Sequence, residues 1–184
     1  MMIDFKKKEN IPNLLTLARI IMIPLFILIL CFWKSQAGHI FAAIIFAIAS
    51  ITDYLDGYLA RKWKVVTNFG KFADPLADKL LVMTDFIMLV EVGMVPAWIS
   101  AIIICRELAV TGLRLLLVEN GGTVLAAAMP GKIKTFTQMF SIIFLLLHWT
   151  SFGTLLLYVA LIFTIYSGYD YFKGAGFLFK DTFK

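Results

Sequence analysis

The 184 residues include only two cysteines, two histidines and five prolines, and charged side chains make up just 16% of the chain. Cys31 and Cys105 lie alone inside apolar runs far apart in sequence. That excludes a disulfide framework and a paired-cysteine zinc site, so both read as packing residues. His39 and His148 stand near the ends of apolar runs, where interfacial or packing roles suit them. No HExxH pattern and no Ser/His/Asp arrangement is present, which removes zincin and triad chemistry. With 61% hydrophobic residues and a mean hydropathy of +0.88, the composition is one that a soluble domain does not need and a polytopic membrane protein does.

Six apolar segments are long enough to span a bilayer, at about 14–33, 38–59, 72–92, 96–118, 132–149 and 152–172. No linker, repeat or low-complexity tail divides them. The expectation is an all-α, polytopic, single membrane domain over residues 1–184 with six transmembrane helices. Lys6, Lys7 and Lys8 before the first run, and Ser35-Gln36-Ala37 after it, imitate a signal peptide. The run is too long for a signal core, however, and Arg19 interrupts its start, so it reads as a retained span. With the N-terminus inside, the connections at 60–71 and 119–131 and the C-terminus hold nearly all flanking cations, and only Lys34 falls outside. The net charge of +5 suits anionic headgroups better than nucleic acid.

Residues 53–78, DYLDGYLARKWKVVTNFGKFADPLAD, place four aspartates between these apolar segments. On a helix, Asp53, Asp56, Gly57 and Ala60 share one face, and Gly70, Asp74 and Asp78 share a face of the next. A charge at the bilayer centre costs about 3 kcal/mol, so four would cost on the order of 10 kcal/mol unless neutralised. Carboxylates without thiolate or imidazole suit hard divalent ions, Mg²⁺ or Mn²⁺. Arg61 and Lys62 follow at once and point to a phosphate-bearing ligand. The bland alternative is a solvated acidic loop between helices. Pro75 is tolerable if the third helix begins near Lys71, which puts Asp74 and Asp78 near its start.

The pattern Asp53-x2-Asp56-Gly57-x2-Ala60-Arg61-x8-Gly70-x3-Asp74-x3-Asp78 resembles the signature of the CDP-alcohol phosphotransferases at all eight positions and all spacings. Further blocks extend the likeness from about Asn10 to Gln138. Asn10-Ile11-Pro12-Asn13 through Arg19 resembles the family's N-terminal entry. Residues 105–108 (CREL), 111–114 (TGLR) and 131–138 (GKIKTFTQ) look like its bacterial phosphatidylglycerophosphate synthase branch. Neither histidine is followed by x-Lys, so the phospholipase-D-type route of phosphatidyl transfer is absent.

This resemblance implies transfer of a phosphatidyl group from CDP-diacylglycerol to glycerol 3-phosphate, yielding phosphatidylglycerophosphate and CMP. It implies two divalent cations held by Asp53, Asp56 and Asp74, with Asp78 completing one metal site and taking the acceptor hydroxyl's proton. Asn13, Thr16, Asp56, Gly57, Ala60, Arg61 and Gly70 would line the nucleotide site. Arg106, Arg114, Lys132 and Lys134 would hold the acceptor's phosphate. By helical rise Arg114 should lie near the depth of Asp74, and Arg106 between Asp78 and Asp85. Two alternatives compete for those cations: an internal ion pair among Arg106, Glu107 and Asp85, and the positive-inside rule for Lys132 and Lys134. Arg19 is either part of the phosphate site or an arginine snorkelling at the helix start. The last two spans are expected to add only apolar bulk. The expected setting is the bacterial cytoplasmic membrane, with the site facing the cytoplasm and the protein a homodimer. Other acceptors (phosphatidylglycerol, inositol phosphate, serine), a membrane prenyltransferase and a cation transporter are the competing functions.

Overall fold

The structure, a computed structural model, describes residues 11–63, 68–119 and 129–176; side chains at positions 11, 12, 56, 59–61, 68–75, 118 and 119 lie outside the description. Among the described residues there are six helices and no strand: α1 Ile11–Phe32, α2 Gln36–Trp63, α3 Asn68–Glu91, α4 Ala97–Glu119, α5 Met129–Leu146 and α6 Thr150–Gly174. Each expected span is matched by one helix. Three segments are long and apolar enough to cross a membrane, Asn13–Phe32, Gln36–Leu55 and Thr150–Gly174. The other three helices carry charge within their apolar runs, at Asp78, Lys79 and Asp85 in α3, Arg106, Glu107 and Arg114 in α4, and Lys132 and Lys134 in α5. The protein is therefore an all-α polytopic membrane protein in which composition by itself supports three of the six expected spans.

Its exposed surface agrees. Ile21, Leu28, Ile44, Ile51, Leu155 and Ile162 are all exposed on α1, α2 and α6. In water such faces would be a liability, whereas acyl chains cover them without cost. At 1.5 Å per residue the 22 residues of α1 reach about 33 Å, the thickness of a hydrocarbon core.

The chain forms two compact units. In the first, α1 packs on both α2 and α3. Ala42, Ala43, Phe46, Ala49 and Ser50 recur at helical spacing as the buried stripe of α2. The three alanines in it give neighbouring helices little bulk to pack around. Phe26 and Leu30 of α1, and Ala77, Leu81, Phe86 and Leu89 of α3, complete that core. Gly93 follows the end of α3 with φ +74°, a left-handed conformation that closes a helix and that other residues adopt reluctantly.

In the second unit α4 packs on α6, with Val110, Leu113, Leu117, Tyr171 and Ala175 as a buried cluster. Ser141 of α5 donates to the Gly153 carbonyl of α6 at 2.9 Å, tying the α5–α6 hairpin near its turn.

One boundary differs from expectation. α3 begins at Asn68, three residues before Lys71, so Pro75 falls beyond the first turn. Proline has no N–H, so the Lys71 carbonyl receives no helical bond from it.

Candidate active site

In the first unit α2 is continuous to Trp63 and α3 runs on from Asn68. Asp53, Asp56, Gly57 and Ala60 therefore do share one helix face, as do Gly70, Asp74 and Asp78. Of the four signature aspartates, Asp53 and Asp78 have described side chains, and both are half-buried. The side chains of Asp56, Ala60, Arg61, Gly70 and Asp74 lie outside the described set. Among the described residues no group of three or more His, Cys, Asp or Glu side chains gathers as a metal cage.

Arg19 gives the aspartate face a partner that the sequence did not foretell. Its side chain is fully buried, and Nη1 lies 2.7 Å from Oδ1 of Asp53, whose side chain is 39% exposed. Arg19 thus does not snorkel. A buried guanidinium against one carboxylate oxygen fixes the orientation of that carboxylate, as supporting residues do for metal ligands. Oxygen donors held this way fit a hard divalent ion. Thr16, one turn before Arg19, is also fully buried, and Asn13 is half-buried.

In the second unit three of the four cations expected to hold phosphate come together. Arg106 Nη1 donates to Glu107 Oε1 at 3.0 Å, and the Lys134 ammonium donates to that same oxygen. Arg106 Nη2 donates to Ser167 Oγ at 2.9 Å, and Arg114 Nη2 donates to the Tyr171 hydroxyl. Both guanidinium carbons lie over the Tyr171 ring, at 5.7 Å for Arg106 and 4.9 Å for Arg114. Lys134 is almost wholly buried, whereas Lys132 on the same helix is exposed.

Among the described side chains, three cations gather here against one carboxylate, that of Glu107. The Nε–H groups of Arg106 and Arg114 are buried and have no hydrogen-bond partner among the described residues. Buried charged donors left in that state are costly, so such groups call for a ligand. The cluster is suited to an anion of two charges.

Two expectations about this region are corrected. Asp85 is fully buried, and neither of its oxygens has a hydrogen-bond partner among the described residues. Within the second unit, Arg106 pairs with Glu107, and Lys134 is the third member. The last two helices are also more than apolar bulk. Thr164, Ser167 and Tyr171 form a buried polar seam on α6, with Gln138 of α5 donating to Thr164 at 3.3 Å. The signal that could have found the seam is their i, i+3, i+7 spacing within an apolar span.

In the first unit, His39 Nδ1 and His148 Nε2 share a hydrogen bond of 2.8 Å, with rings 5.0 Å apart. The two histidines that looked like separate packing residues are a pair.

The profile of the CDP-alcohol phosphatidyltransferase family matches residues 9–166. The chain belongs to that family. Membership accounts for Gly57, Ala60 and Arg61, which the prenyltransferase and transporter readings leave unexplained. Among its relatives, a Bacillus subtilis protein named CDP-diacylglycerol--glycerol-3-phosphate 3-phosphatidyltransferase is 49% identical, the alignment covering 89% of this chain and 94% of the relative. Proteins of the same name from Rickettsia bellii and Haemophilus influenzae are 43% and 39% identical. Each alignment covers 91% of this chain, with 96% and 94% of the respective relative.

Proposed function

We propose that this protein transfers the phosphatidyl group of CDP-diacylglycerol to sn-glycerol 3-phosphate, releasing CMP. The observation that carries the reading is the cluster in which Arg106 and Lys134 meet the carboxylate of Glu107 and Arg114 joins Arg106 through Tyr171. Its surplus of positive charge and its two unpartnered Nε–H donors suit a phosphomonoester dianion and are excessive for a neutral or zwitterionic alcohol. The relatives' names supply the donor and the acceptor.

Asp53, Asp56, Asp74 and Asp78 would hold two divalent cations, Mg²⁺ or Mn²⁺. When bound, these ions supply charge neutralisation at the pyrophosphate and polarisation of the phosphorus under attack. Arg19 fixes the Asp53 carboxylate from behind. Gly57 and Ala60, which carry little or no side chain, would admit the cytidine; Asn13, Thr16, Arg61 and Gly70 would complete the nucleotide site. Arg106, Arg114 and Lys134 hold the acceptor by its phosphate. The Asp78 carboxylate takes the proton of the acceptor's hydroxyl as that oxygen bonds to the phosphatidyl phosphorus and the bond to CMP breaks. No covalent enzyme intermediate is needed. The Lys and Arg asymmetry of the connections supports a site at the cytoplasmic face of the membrane.

Purified protein in mixed micelles with Mg²⁺ tests this directly. CDP-diacylglycerol and glycerol 3-phosphate should give phosphatidylglycerophosphate and CMP in equal amounts. Turnover with inositol phosphate and none with glycerol 3-phosphate would move the protein to another acceptor, and no CMP with any alcohol would overturn the reading.

A further inference from the structure

Every charged member of the cation cluster belongs to α4 or α5, yet two of its hydrogen-bond acceptors belong to α6, which brings no charge to it. Ser167 and Tyr171 lie one turn apart on that helix, and both are buried. The Ser167 hydroxyl donates to the Thr164 carbonyl at 3.2 Å, so its lone pairs face the N–H of Arg106 at 2.9 Å. Between them in sequence, Gly168 lets Arg106 approach the helix. A Cβ there would stand 3.3 Å from Arg106 Cγ, closer than such atoms ordinarily come. Tyr171 does more than either. Its hydroxyl accepts from Arg114, and the face of its ring lies under both guanidinium groups.

A carboxylate in that position would orient the arginines equally well but would cancel their charge. A phenol and an aromatic face attract cations while remaining neutral. The charge needed to bind a dianion is therefore retained, and the long, rotamer-rich arginine side chains are fixed before the ligand arrives. Two like charges are also held near each other, an arrangement that requires a neutral group able to attract both.

Resting on the acceptor reading above, we infer that Tyr171 is a positioning residue that sets the affinity for the acceptor's phosphate by holding Arg106 and Arg114 in their binding geometry. Ser167 and Gly168 assist at Arg106. Tyr171 does not touch the nucleotide or the reacting phosphorus in this account. Its effect should fall on one substrate alone.

The test compares wild type, Tyr171→Phe and Tyr171→Leu in mixed micelles, measuring KM for each substrate, kcat, and inhibition by inorganic phosphate against glycerol 3-phosphate. Loss of a hydrogen bond to a charged group predicts a KM for glycerol 3-phosphate raised roughly tenfold in Tyr171→Phe. The rise should be larger in Tyr171→Leu, which also loses the ring. The inhibition constant of phosphate should rise in parallel, and KM for CDP-diacylglycerol should stay within about twofold of wild type. An unchanged KM for glycerol 3-phosphate in both variants overturns the inference and leaves the proposed reaction standing. Equal losses toward both substrates would show Tyr171 to be merely structural, and would also overturn it. If wild type itself does not use glycerol 3-phosphate, the acceptor reading fails first. Should the Tyr171 variants not be recovered folded, Ser167→Ala carries the same prediction through Arg106 alone.

Discussion

Arg19 of α1, with no exposed surface, meets the Asp53 carboxylate of α2 at 2.7 Å, and the pair is unequal because Asp53 is 39% exposed. Removing the arginine leaves a carboxylate that water can reach, and a half-exposed ion pair is worth only about 0–1 kcal/mol. Arg19→Met should therefore change thermal stability in detergent little while lowering CMP release, because the Asp53 carboxylate loses a group that orients it. A large loss of stability with CMP release retained would make the pair purely structural.

The aspartate face carries the metal prediction. Chelation should abolish CMP release, and added Mg²⁺ or Mn²⁺ should restore it. Asp56→Asn and Asp74→Asn should be nearly inactive, since an amide is a poorer ligand for a hard ion. Asp78→Asn should still be protected by CDP-diacylglycerol against protease while losing turnover by roughly 10²-fold or more. Loss of that protection in step with activity would make Asp78 chiefly a metal ligand. Full activity in excess chelator would remove the metals from the account.

Lys132 and Lys134 are two residues apart and differ in surroundings. Lys134 is buried against Glu107, and Lys132 is exposed. Lys134→Ala should raise KM for glycerol 3-phosphate at least about tenfold, as should Arg114→Ala, because each removes a charged hydrogen bond to phosphate. Lys132→Ala should change it by less than about twofold. The reverse order would return the cluster to a structural role.

The reach and the limits of the sequence are visible at these same residues. All six helices could be located because apolar runs broken by short polar connections have few other solutions. The helix faces of Asp53 and Asp78 followed from spacing alone. Partner choice did not. The sequence offers Arg106 two acids, and only tertiary packing, with Lys134 arriving on α5, shows it paired with Glu107. From sequence, Arg19 fits either the phosphate site or a snorkelling position, because its burial depends on how α1 packs on α2 and α3. Ser167 and Tyr171 are unremarked types in an apolar span, and their meaning arises from the arginines that meet them.

Asp85 yields a prediction of opposite sign to most core changes. A buried carboxyl group without a hydrogen-bond partner costs the fold on the order of 1–3 kcal/mol. Asp85→Leu, close in volume and apolar, should raise the thermal midpoint in detergent and leave CMP release unaffected. A marked fall in stability would show that the carboxyl group has a stabilising partner.

Acceptor choice tests the central claim most directly. With CDP-diacylglycerol and Mg²⁺ held constant, CMP release should be measured with glycerol 3-phosphate, glycerol, serine and inositol, one at a time. A site built from Arg106, Arg114 and Lys134 predicts rapid release with glycerol 3-phosphate and little with the three acceptors that lack a phosphate. Comparable rates with serine or free glycerol would contradict it.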